Sequence, residues 1–579
     1  MSVVLACLVA LAAPAVGTRE AQARGLPSDP AAERGPATIS NEIQAMLAGP
    51  PDALLPVIVQ THLPPSAAHL SRVGAWGGRV GRTYSTINGY AAKLPAWRVW
   101  QLAAEGEVER ISYDAPVRAH LDIAYKAIRA DQAASSGLLL GLLGTPYTGK
   151  GVGIALVDTG VQLHPDLKRP SGSKQIVEVE IVGHETGLAD YYGHGTHVAG
   201  ILNGSGYASS DILSYRTFRG IAPEAQIISI RALSPDGTGY TSDIITGIDW
   251  AVSNLKTYNI RILNLSLGHP VYESYTTDPL CRAVASAVGH GIVVVVAAGN
   301  DGAVGSGFGA VTSPGNEPTA VTVGAMDDRN TVPLGDDVLA WYSSKGPSLI
   351  DFVVKPDLVA PGTWIVSARA VGSTIDTTHH DLVLKIGDYK YDPLNATQDG
   401  AYLTMSGTSM AAPMVSGTAA LMLQKDPTLT PATVKARLMK SAVKDTRLVF
   451  ETGAGYLDAY GAITATGTNK VGNSPLAMLG SDGYIYIQDT AILWGSAWTQ
   501  SAIWGPDKGR ADGVSLTPVP MSITTTNGAI WGGNAGARSV VDNSQVTADG
   551  AIWGGGRSSV SSTTGTVSND GAIWTDPRR

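Results

Sequence analysis

Short runs rich in Val, Ile and Leu recur through the central part of the chain, from Val152 onward. Those with the length of buried strands are Gly153–Val157, Gln226–Arg231, Arg261–Ser266, Ile292–Ala298 and Ala320–Ala325. Between them, Ser242–Leu255 and Asp278–Val288 are predicted helices. This alternation is typical of an α/β fold with a mostly parallel sheet and helices on both faces. Functional groups are expected at the carboxyl ends of such strands.

The region before this α/β pattern has a different order of elements. A strand, a helix, a strand pair, a helix and a strand are predicted at Pro56–Gln60, Ser66–Trp76, Thr83–Leu94, Trp97–Ala104 and Val108–Tyr113. The strand pair turns at Asn88-Gly89, a strong hairpin dipeptide. This β-α-β-β-α-β order indicates a ferredoxin-like α+β domain.

Beyond about residue 465 the composition shifts to Gly, Ser, Thr and Trp, and half of the twelve Trp lie after residue 490. A short motif recurs at Ala491–Trp494, Ala502–Trp504, Ala529–Trp531, Ala551–Trp553 and Ala572–Trp574. Because Asn-Gly or Asp-Gly precedes the last three copies, we predict a β-rich repeat region of stacked hairpins. It is either a Trp-laddered appendage or a module whose exposed Trp side chains contact a surface or a glycan.

These changes of pattern divide the 579 residues into segments. They are a signal peptide (1–23), a Pro-, Ala- and Gly-rich linker (24–52), the ferredoxin-like domain (53–120), a second linker (121–147), the α/β domain (148–465) and the repeat region (466–579). The apolar run Val3–Val16 and the small residues after it are typical of export, although no Lys or Arg precedes them. No later run is as long as a membrane-spanning helix, so we expect a secreted protein without a membrane span.

Charge and cysteine content narrow the classes of function. The chain has 41 Lys and Arg against 49 Asp and Glu, a net charge of −8, so no nucleic-acid partner is expected. Cys7 falls in the signal segment, which leaves Cys281 as the single cysteine of a mature chain. One thiol excludes an internal disulfide and a Cys-based zinc site. We expect Cys281 to be a buried apolar residue.

Polar residues with catalytic potential cluster in segments at predicted strand ends and helix starts: Val157–Gly160, Gly193–Gly200, Ala297–Asn300 and Gly407–Pro413. A serine hydrolase needs a nucleophile, a base, a carboxylate that orients the base, and donors for the oxyanion. Ser409, His194 and Asp158 supply the first three, and Asn300 with the Ser409 N–H supplies the donors. Ser409 also lies at a helix N-terminus, where unpaired N–H groups favour negative charge.

Each segment alone has an ordinary structural interpretation. A strand-end Asp often caps a turn, Gly-Thr-Ser before a helix is often an N-cap, and the pair His194 and His197 has no third metal ligand at a fitting spacing. The order Asp, His, Ser differs from that of the α/β-hydrolases, and Gly407–Ala411 lacks the last Gly of their G-x-S-x-G motif. Together the segments favour a serine hydrolase of another fold.

In these segments, and over roughly residues 148–463, the chain resembles the subtilases, the subtilisin-like serine proteases. The resemblance implies that Asp158 orients the imidazole, His194 is the general base, Ser409 attacks the scissile carbonyl and Asn300 donates to the oxyanion. It implies a structural role for His197. It also implies protein or peptide substrates and catalysis without a cofactor.

The resemblance extends to substrate binding. The edge segments that pair with an extended peptide in that family resemble Ser266, Leu267, Gly268, Gly237 and Gly239 here. The walls of the family's S1 pocket resemble Ala298, Gly299 and the stretch Thr312–Pro314. No Asp or Glu cluster occurs in these stretches, so we expect an apolar or broad preference at P1. Asp166 resembles a calcium ligand of some relatives, but the loop after Gly200 departs from their pattern, so a structural calcium ion stays an open alternative.

Residues Ile87–Leu94 resemble the inhibitory propeptide of the same family, which implies a zymogen. Such a propeptide assists the folding of a sheet with many long-range contacts and blocks the cleft until it is cut, here between about Arg118 and Thr148. The interval from Gly362 to Met405 is longer than in most relatives. It is either a surface insertion or a rim that restricts the access of substrate.

We therefore expect an exported, self-maturing serine endopeptidase that acts on extracellular protein and has its own propeptide as intramolecular inhibitor. The alternative is a non-catalytic surface or binding protein on the same scaffold, with the Trp motifs as its binding part. The presence of all four catalytic residues together with a propeptide favours the enzyme. A third alternative is a processing protease with one dedicated partner. Such an enzyme would show little activity on a general protein substrate such as casein.

Overall fold

The computed structural model describes residues 37–505, except for 48, 85–86, 115, 120–126, 137, 140–142, 145, 168–175, 184–189, 304–306, 330 and 480–484. The expected signal peptide (1–23) and the last three copies of the Trp motif lie outside the described residues.

The N-terminal unit, residues 38–113, is an antiparallel sheet with one added strand. Its strands are β1 (Thr38–Ile39), β2 (Leu54–Thr61), β3 (Arg79–Tyr84), β4 (Gly89–Pro95) and β5 (Val108–Tyr113), and its helices are α1 (Asn41–Met46), α2 (Ala67–Ala75) and α3 (Val99–Ala103). The sheet order β1-β5-β2-β4-β3 includes the predicted β-α-β-β-α-β unit as β2–β5. β1 lies parallel to β5. The prediction of a linker over 24–52 is therefore wrong for residues 38–46, which form β1 and α1 of this unit.

Alternate residues of the N-terminal sheet enter different cores, as the two faces of a strand require. Val57 and Val59 pack with the unit's own helices, against residues such as Val73 and Leu102. Ile58, between them in sequence, packs instead into a core of the α/β body. One face of the sheet thus stabilises the unit itself, and the other docks on the body.

The chain then crosses to the α/β body through short elements: β6 (Pro116–Ala119), α4 (Ala130–Ser135), β7 (Leu138–Leu139) and β8 (Leu143–Gly144). Ile128, Ala130 and Ala133 are fully buried in the main core of the body. Arg129 forms an ion pair with Asp458 of the same body. The prediction of a linker over 121–147 is therefore wrong for residues 127–135, which pack as part of the α/β body.

The strands of the body up to the last helices are β9 (Gly153–Asp158), β10 (Ile176–Glu180), β11 (Gln226–Arg231), β12 (Thr238–Tyr240), β13 (Ile260–Leu265), β14 (Leu267–Gly268), β15 (Val293–Ala297), β16 (Val321–Asp327), β17 (Val338–Leu339), β18 (Leu358–Pro361), β19 (Ile365–Ala368), β20 (Val383–Lys385) and β21 (Asp399–Met405). The helices are α5 (His194–Asn203), α6 (Thr241–Ser253), α7 (Pro279–Gly289), α8 (Thr374–Thr378), α9 (Thr408–Lys425), α10 (Pro431–Ser441), α11 (Val449–Thr452) and α12 (Ala459–Thr464).

The central sheet runs β10-β11-β9-β13-β15-β16-β17, with β18 also beside β16. All of its pairs are parallel except β16 with β17. Buried Val and Ile side chains cover both faces, in two core clusters, as a parallel sheet between helix layers requires. The predicted α/β fold is confirmed, and the predicted strands and helices are present with bounds that shift by one or two residues.

The C-terminal segment, residues 466–505, contains β22 (Ala477–Leu479), β23 (Ile485–Ile487), α13 (Thr490–Trp494) and α14 (Gln500–Trp504). The first two copies of the Trp motif are helical turns, so the predicted hairpin strands are wrong for them. Asp489 and Thr499 cap these turns through bonds to Ala491 N and Ala502 N. Gly495 and Gly505, both at positive φ, end them. A capping residue before a glycine stop specifies a helix, and this local signal outweighs the apolar-aromatic composition.

No helix in the described part of the chain is both long and apolar enough to cross a membrane.

Candidate active site

A buried carboxylate and a buried imidazole meet at the carboxyl end of the central sheet. Asp158 ends β9, and His194 begins α5. His194 Nδ1 lies 2.7 Å from Asp158 Oδ1, and both side chains are essentially inaccessible to solvent. The second ring nitrogen, His194 Nε2, is buried and has no hydrogen-bond partner among the described residues. Because Asp158 holds Nδ1 as the donor, Nε2 is left as a free acceptor.

A second buried carboxylate, Asp190, joins the two elements that carry this pair. It accepts hydrogen bonds from Gly193 N (2.7 Å) and from Thr196 N and Oγ1 (2.8 Å each), at the start of α5. It also accepts from Thr159 Oγ1 at 2.8 Å, next to Asp158. Burial raises the pKa of Asp190, and these four bonds oppose that rise. A carboxylate at a helix N-terminus stabilises the helix, so Asp190 fixes His194 relative to Asp158.

Ser409 lies in the first turn of α9 and is fully buried. Its hydroxyl donates to the backbone carbonyl of Ser266 at 3.2 Å. Its own carbonyl accepts from the Ser266 hydroxyl at 2.6 Å. A proline, Pro413, stands inside the same helix. The N-terminal turn thus brings the Ser409 hydroxyl to the substrate edge of the cleft, next to β14.

The side chain of Asn300 is oriented by the residue before Ser409. Thr408 donates to Asn300 Oδ1 through both its N–H (2.9 Å) and its hydroxyl (3.1 Å). Thr408 Oγ1 also accepts from Gly299 N at 3.1 Å. Since the carbonyl oxygen of the amide is engaged, Asn300 Nδ2 faces away from Thr408 as a donor. Together with the Ser409 N–H in the first turn of α9, it forms a site suited to an oxyanion.

The predicted substrate edges are strands, and a strand of the same chain lies between them. β6 (Pro116–Ala119) pairs antiparallel with both β12 and β14, in the order β12-β6-β14. Gly239 is opposite Val117, and Leu267 is opposite Ala119. An extended segment of the chain therefore lies where the sequence predicts a peptide, as a strand added between β12 and β14.

The predicted S1 walls converge on Thr312. Its N–H donates to Ala298 O at 3.0 Å. A Cβ added at Gly268 would lie 2.5 Å from Thr312 Oγ1, and one added at Gly299 would lie 2.8 Å from Thr312 Cγ2. The wall residue Gly299 and the edge residue Gly268 therefore both require glycine, and the Thr312 side chain fills the space between them.

The enlarged interval 362–405 folds as a three-stranded sheet, β19-β21-β20, with α8 beside it. At the start of α8, Thr374 N donates to Tyr191 O and Ile375 N donates to Tyr192 O. Thr374 Oγ1 donates to Pro235 O, just before β12. These contacts connect the insertion to the residues before His194 and to a predicted substrate strand. Of the two predicted interpretations, the rim of the cleft is the one these contacts favour.

The surroundings of Asp166 do not fit a calcium site. Its two carboxylate oxygens accept hydrogen bonds from Ala208 N and from the Tyr402 hydroxyl, each at 2.7 Å. These partners are donors, whereas calcium requires several oxygen ligands. Among the described residues no group of three or more His, Cys, Asp or Glu could hold a metal ion. The sequence left open whether Asp166 binds calcium. In the structure, Tyr402 of the insertion donates a hydrogen bond to this carboxylate instead.

The two remaining predictions concern His197 and Cys281. His197 Nε2 contacts the carbonyls of Ile365 (3.0 Å) and Leu403 (3.2 Å), and burial lowers its pKa to about 3. It is therefore a neutral residue that ties α5 to the insertion. Cys281 is fully buried in α7, and burial raises the pKa of its thiol well above the usual value. Neither is placed as a nucleophile.

Two positioning residues, Asp190 and Thr408, were not identified from the sequence. Thr408 stands inside a motif that the sequence singled out, but its role depends on the contact with Asn300, more than a hundred residues away. Asp190 comes four residues before His194. An Asp shortly before a Gly-rich helix start is a recognisable capping signal, and this signal could have identified it.

Comparisons with known proteins agree with the geometry of the site. Residues 149–455 match the model of the subtilase family. The chain is 37% identical over 371 residues to serine protease AprX of Bacillus subtilis, covering 62% of this chain and 75% of the relative. It is 32% identical over 370 residues to subtilisin E of the same species, covering 63% and 78%.

Among solved structures, the chain is similar to fervidolysin from Fervidobacterium pennivorans, described as a keratinolytic enzyme related to subtilisin. The TM-score is 0.52 at 22% sequence identity, and the match covers 74% of this chain and 63% of that chain. At this identity the likeness supports the fold alone.

Proposed function

The chain belongs to the subtilase family and is a serine endopeptidase, and from this premise we propose that it is a secreted enzyme that cuts its own N-terminal unit away and then hydrolyses extracellular protein. The observation that carries the proposal is the strand β6, which lies as a peptide between β12 and β14. A non-catalytic binding protein is not favoured.

In the proposed reaction a substrate takes the place of β6 in the cleft. The Ser409 hydroxyl turns from Ser266 O toward His194 Nε2, gives up its proton there and attacks the scissile carbonyl. Asp158 stabilises the imidazolium that forms. Asn300 Nδ2 and the Ser409 N–H receive the oxyanion. The imidazolium then protonates the leaving amine, and a water molecule releases the acyl group by the same steps.

The contacts on both sides of the cleft restrict where self-cleavage can occur. Ala119 is still paired with Leu267, so the bond that is cut follows Ala119. Ala127, Ile128, Ala130 and Ala133 are buried in the core of the body, and a cut beyond Ala127 would require some of these residues to leave that core. We therefore assign the maturation cut to the interval between Ala119 and Ala127, inside the range predicted from the sequence.

The walls around Thr312 suggest the preference at P1. The lining named above carries no charged side chain, which supports an apolar or broad preference over a dibasic one. Since the Thr312 side chain fills the space between Gly268 and Gly299, we propose that small and medium side chains are accepted best.

The test is hydrolysis of casein and of a P1-varied peptide set by wild type, Ser409→Ala and Asn300→Ala. In subtilisin the corresponding losses in kcat are about 10⁶-fold for the nucleophile and about 10²–10³-fold for one oxyanion donor, and we expect the same here. Ser135→Ala, which removes an exposed hydroxyl on α4, is the matched control and should keep wild-type activity. Equal activity of wild type and Ser409→Ala would refute the proposed triad.

A further inference from the structure

The helix that carries Ser409 contains a proline where a helical hydrogen bond should form. In an α-helix the carbonyl of residue i accepts from the N–H of residue i+4. For Ser409 that residue is Pro413, which has no N–H. The Ser409 carbonyl is fully enclosed in protein, and a buried carbonyl without a partner is costly.

A side chain from a different element replaces the missing donor. The Ser266 hydroxyl, at the end of β13, donates to Ser409 O at 2.6 Å. Ser266 Oγ in turn accepts from Asn264 Nδ2 at 2.9 Å. Asn264 Oδ1 accepts from Ser416 Oγ, two turns further along α9 than Ser409, at 2.8 Å. These four residues are buried, and their bonds form a relay that begins and ends on α9.

We propose that Pro413 and the Ser266 hydroxyl act together as a positioning device that fastens the nucleophile to the substrate strand. The proline frees the Ser409 carbonyl from its own helix, and Ser266 then binds it. Because Ser266 precedes Leu267 and Gly268 of β14, this hydrogen bond links the residue that attacks to the strand that holds the peptide, and it remains when the Ser409 hydroxyl turns away from Ser266 O. This inference rests on the proposed role of Ser409.

The physical consequence is a fixed distance between the attacking oxygen and the bound peptide. An ordinary helical bond would tie the Ser409 carbonyl to α9 alone, and β14 could then shift relative to the nucleophile. Misplacement of a reacting group by about 1 Å can cost about 10²-fold in rate. The device should therefore act on kcat, while binding of peptide by the β12 and β14 backbones should change little.

The test uses Ser266→Ala, Pro413→Ala and the double variant, in the full-length chain. Ser266→Ala should lower kcat about 10-fold or more with little change in KM. Pro413→Ala alone should have a small effect. In the double variant, the alanine that replaces Pro413 supplies the N–H that the orphaned carbonyl needs, so the melting temperature should rise relative to Ser266→Ala. The link to β14 stays broken, however, so kcat should remain about 10-fold low.

Two further variants keep the test valid if Pro413→Ala does not fold. Ser266→Cys retains a weak donor and should give a kcat between those of wild type and Ser266→Ala. Ser416→Ala removes the far end of the relay and should lower kcat less than Ser266→Ala. Thr418→Val is the matched control, since Thr418 Oγ1 donates to Met414 O in the same helix, outside the relay. It should leave kcat unchanged.

The outcomes separate this inference from the proposed function. Full kcat in Ser266→Ala, or a return of kcat to the wild-type value in a folded double variant, would overturn the positioning device while leaving the triad in place. Activity that survives in Ser409→Ala would instead overturn the proposed function. Thermal melting of each variant in a Ser409→Ala background, where no self-digestion occurs, would show which variants fold.

Discussion

The N-terminal unit and the C-terminal segment are both attached to the α/β body, but by different kinds of contact. The N-terminal unit has a core of its own, built from residues such as Ile43, Val57 and Leu102. In the C-terminal segment the buried side chains, among them Trp498 and Trp504, share one core with Met439 and Phe450 of the body. A unit with its own core can fold and leave, whereas a segment that completes another core cannot.

The polar and charged contacts that the N-terminal unit and the C-terminal segment make with the body also differ. The N-terminal unit contacts the body through ion pairs that join Arg82 to Asp243, Arg110 to Glu273 and Glu109 to Arg282. The C-terminal segment instead supplies Ser474 to a fully buried cluster, where it bonds Lys435 Nζ at 2.7 Å and Asp357 Oδ1 at 2.6 Å. Partly exposed pairs such as Arg82 with Asp243 are weakened by salt, whereas the cluster around Ser474 is closed to solvent and fixes the C-terminal segment to the body.

The largest effect that this comparison predicts concerns tryptophan. Trp504 is fully buried in the shared core, whereas Trp100 of the N-terminal unit is 59% exposed. Trp504→Ala should therefore lower the free energy of unfolding by about 3–5 kcal/mol. Trp100→Ala should change it by less than about 0.5 kcal/mol. Denaturant unfolding in a Ser409→Ala background measures both. A similar loss in the two variants would contradict the shared-core account.

A smaller effect is expected from the buried ion pair of the N-terminal unit. Arg110→Ala leaves Glu273 buried without its cation, and we expect the unit to dock about 2 kcal/mol less tightly. Glu109→Gln is the control, because its pair with Arg282 is long (3.3 Å) and partly exposed; we expect less than about 1 kcal/mol. Calorimetry of the Ser409→Ala chain should show an earlier transition of the N-terminal unit in Arg110→Ala only.

Docking of the N-terminal unit should also weaken as the pH rises. Asp114 accepts from Ser242 N at 2.7 Å, at the start of α6. Burial raises the pKa of Asp114 from 3.8 to about 7, so the docked state binds more protons than the released state between these values. The contribution of Asp114 is therefore complete in acid and is lost as the pH rises through 7, by about tenfold in affinity between pH 6 and pH 8.

Release of the N-terminal unit can be measured as the time lag before proteolytic activity is seen. The lag should be shorter at pH 8 than at pH 6, after correction with enzyme that is already mature. Asp114→Asn should remove most of that difference. A lag that lengthens at pH 8, or one that Asp114→Asn leaves unchanged, would contradict the assignment.

The smallest effect is expected from metal removal. Because Ala208 N and the Tyr402 hydroxyl already bind the Asp166 carboxylate, EDTA should leave the melting temperature unchanged. Tyr402→Phe, which removes one of these bonds, should lower stability by about 1–3 kcal/mol. A fall in melting temperature on EDTA treatment that calcium reverses would show that a metal ion contributes after all.

The sequence predicted those parts of the molecule that local pattern determines. Val- and Ile-rich strands such as β11 and β15, and the polar residues after them, follow from periodicity and from the geometry of a parallel sheet. Asp158, His194, Asn300 and Ser409 could be proposed as catalytic residues because each stands within a distinctive short segment. The pairing of β6 with two distant strands was not predicted, because the family resemblance implied a propeptide that blocks the cleft but did not indicate which residues enter it.

The parts that could not be predicted depend on contacts between remote segments. Nothing near Ile128 indicates that it enters the core of the body rather than a linker. The relay from Ser416 to Ser266 requires that β13 and α9 be adjacent. The first two Trp motifs were predicted as strands, because composition was considered before the caps at Asp489 and Thr499.

The most direct test of the account is the intact mass of the purified full-length chain, in wild type and in Ser409→Ala. The account predicts that wild type loses its N-terminal unit through one cut between Ala119 and Ala127 and retains the chain at least to Gly505. Ser409→Ala should keep the N-terminal unit. The account would be contradicted if both chains were cut alike, if the new N-terminus lay beyond Ala127, or if the C-terminal segment were lost while the enzyme stayed folded and active.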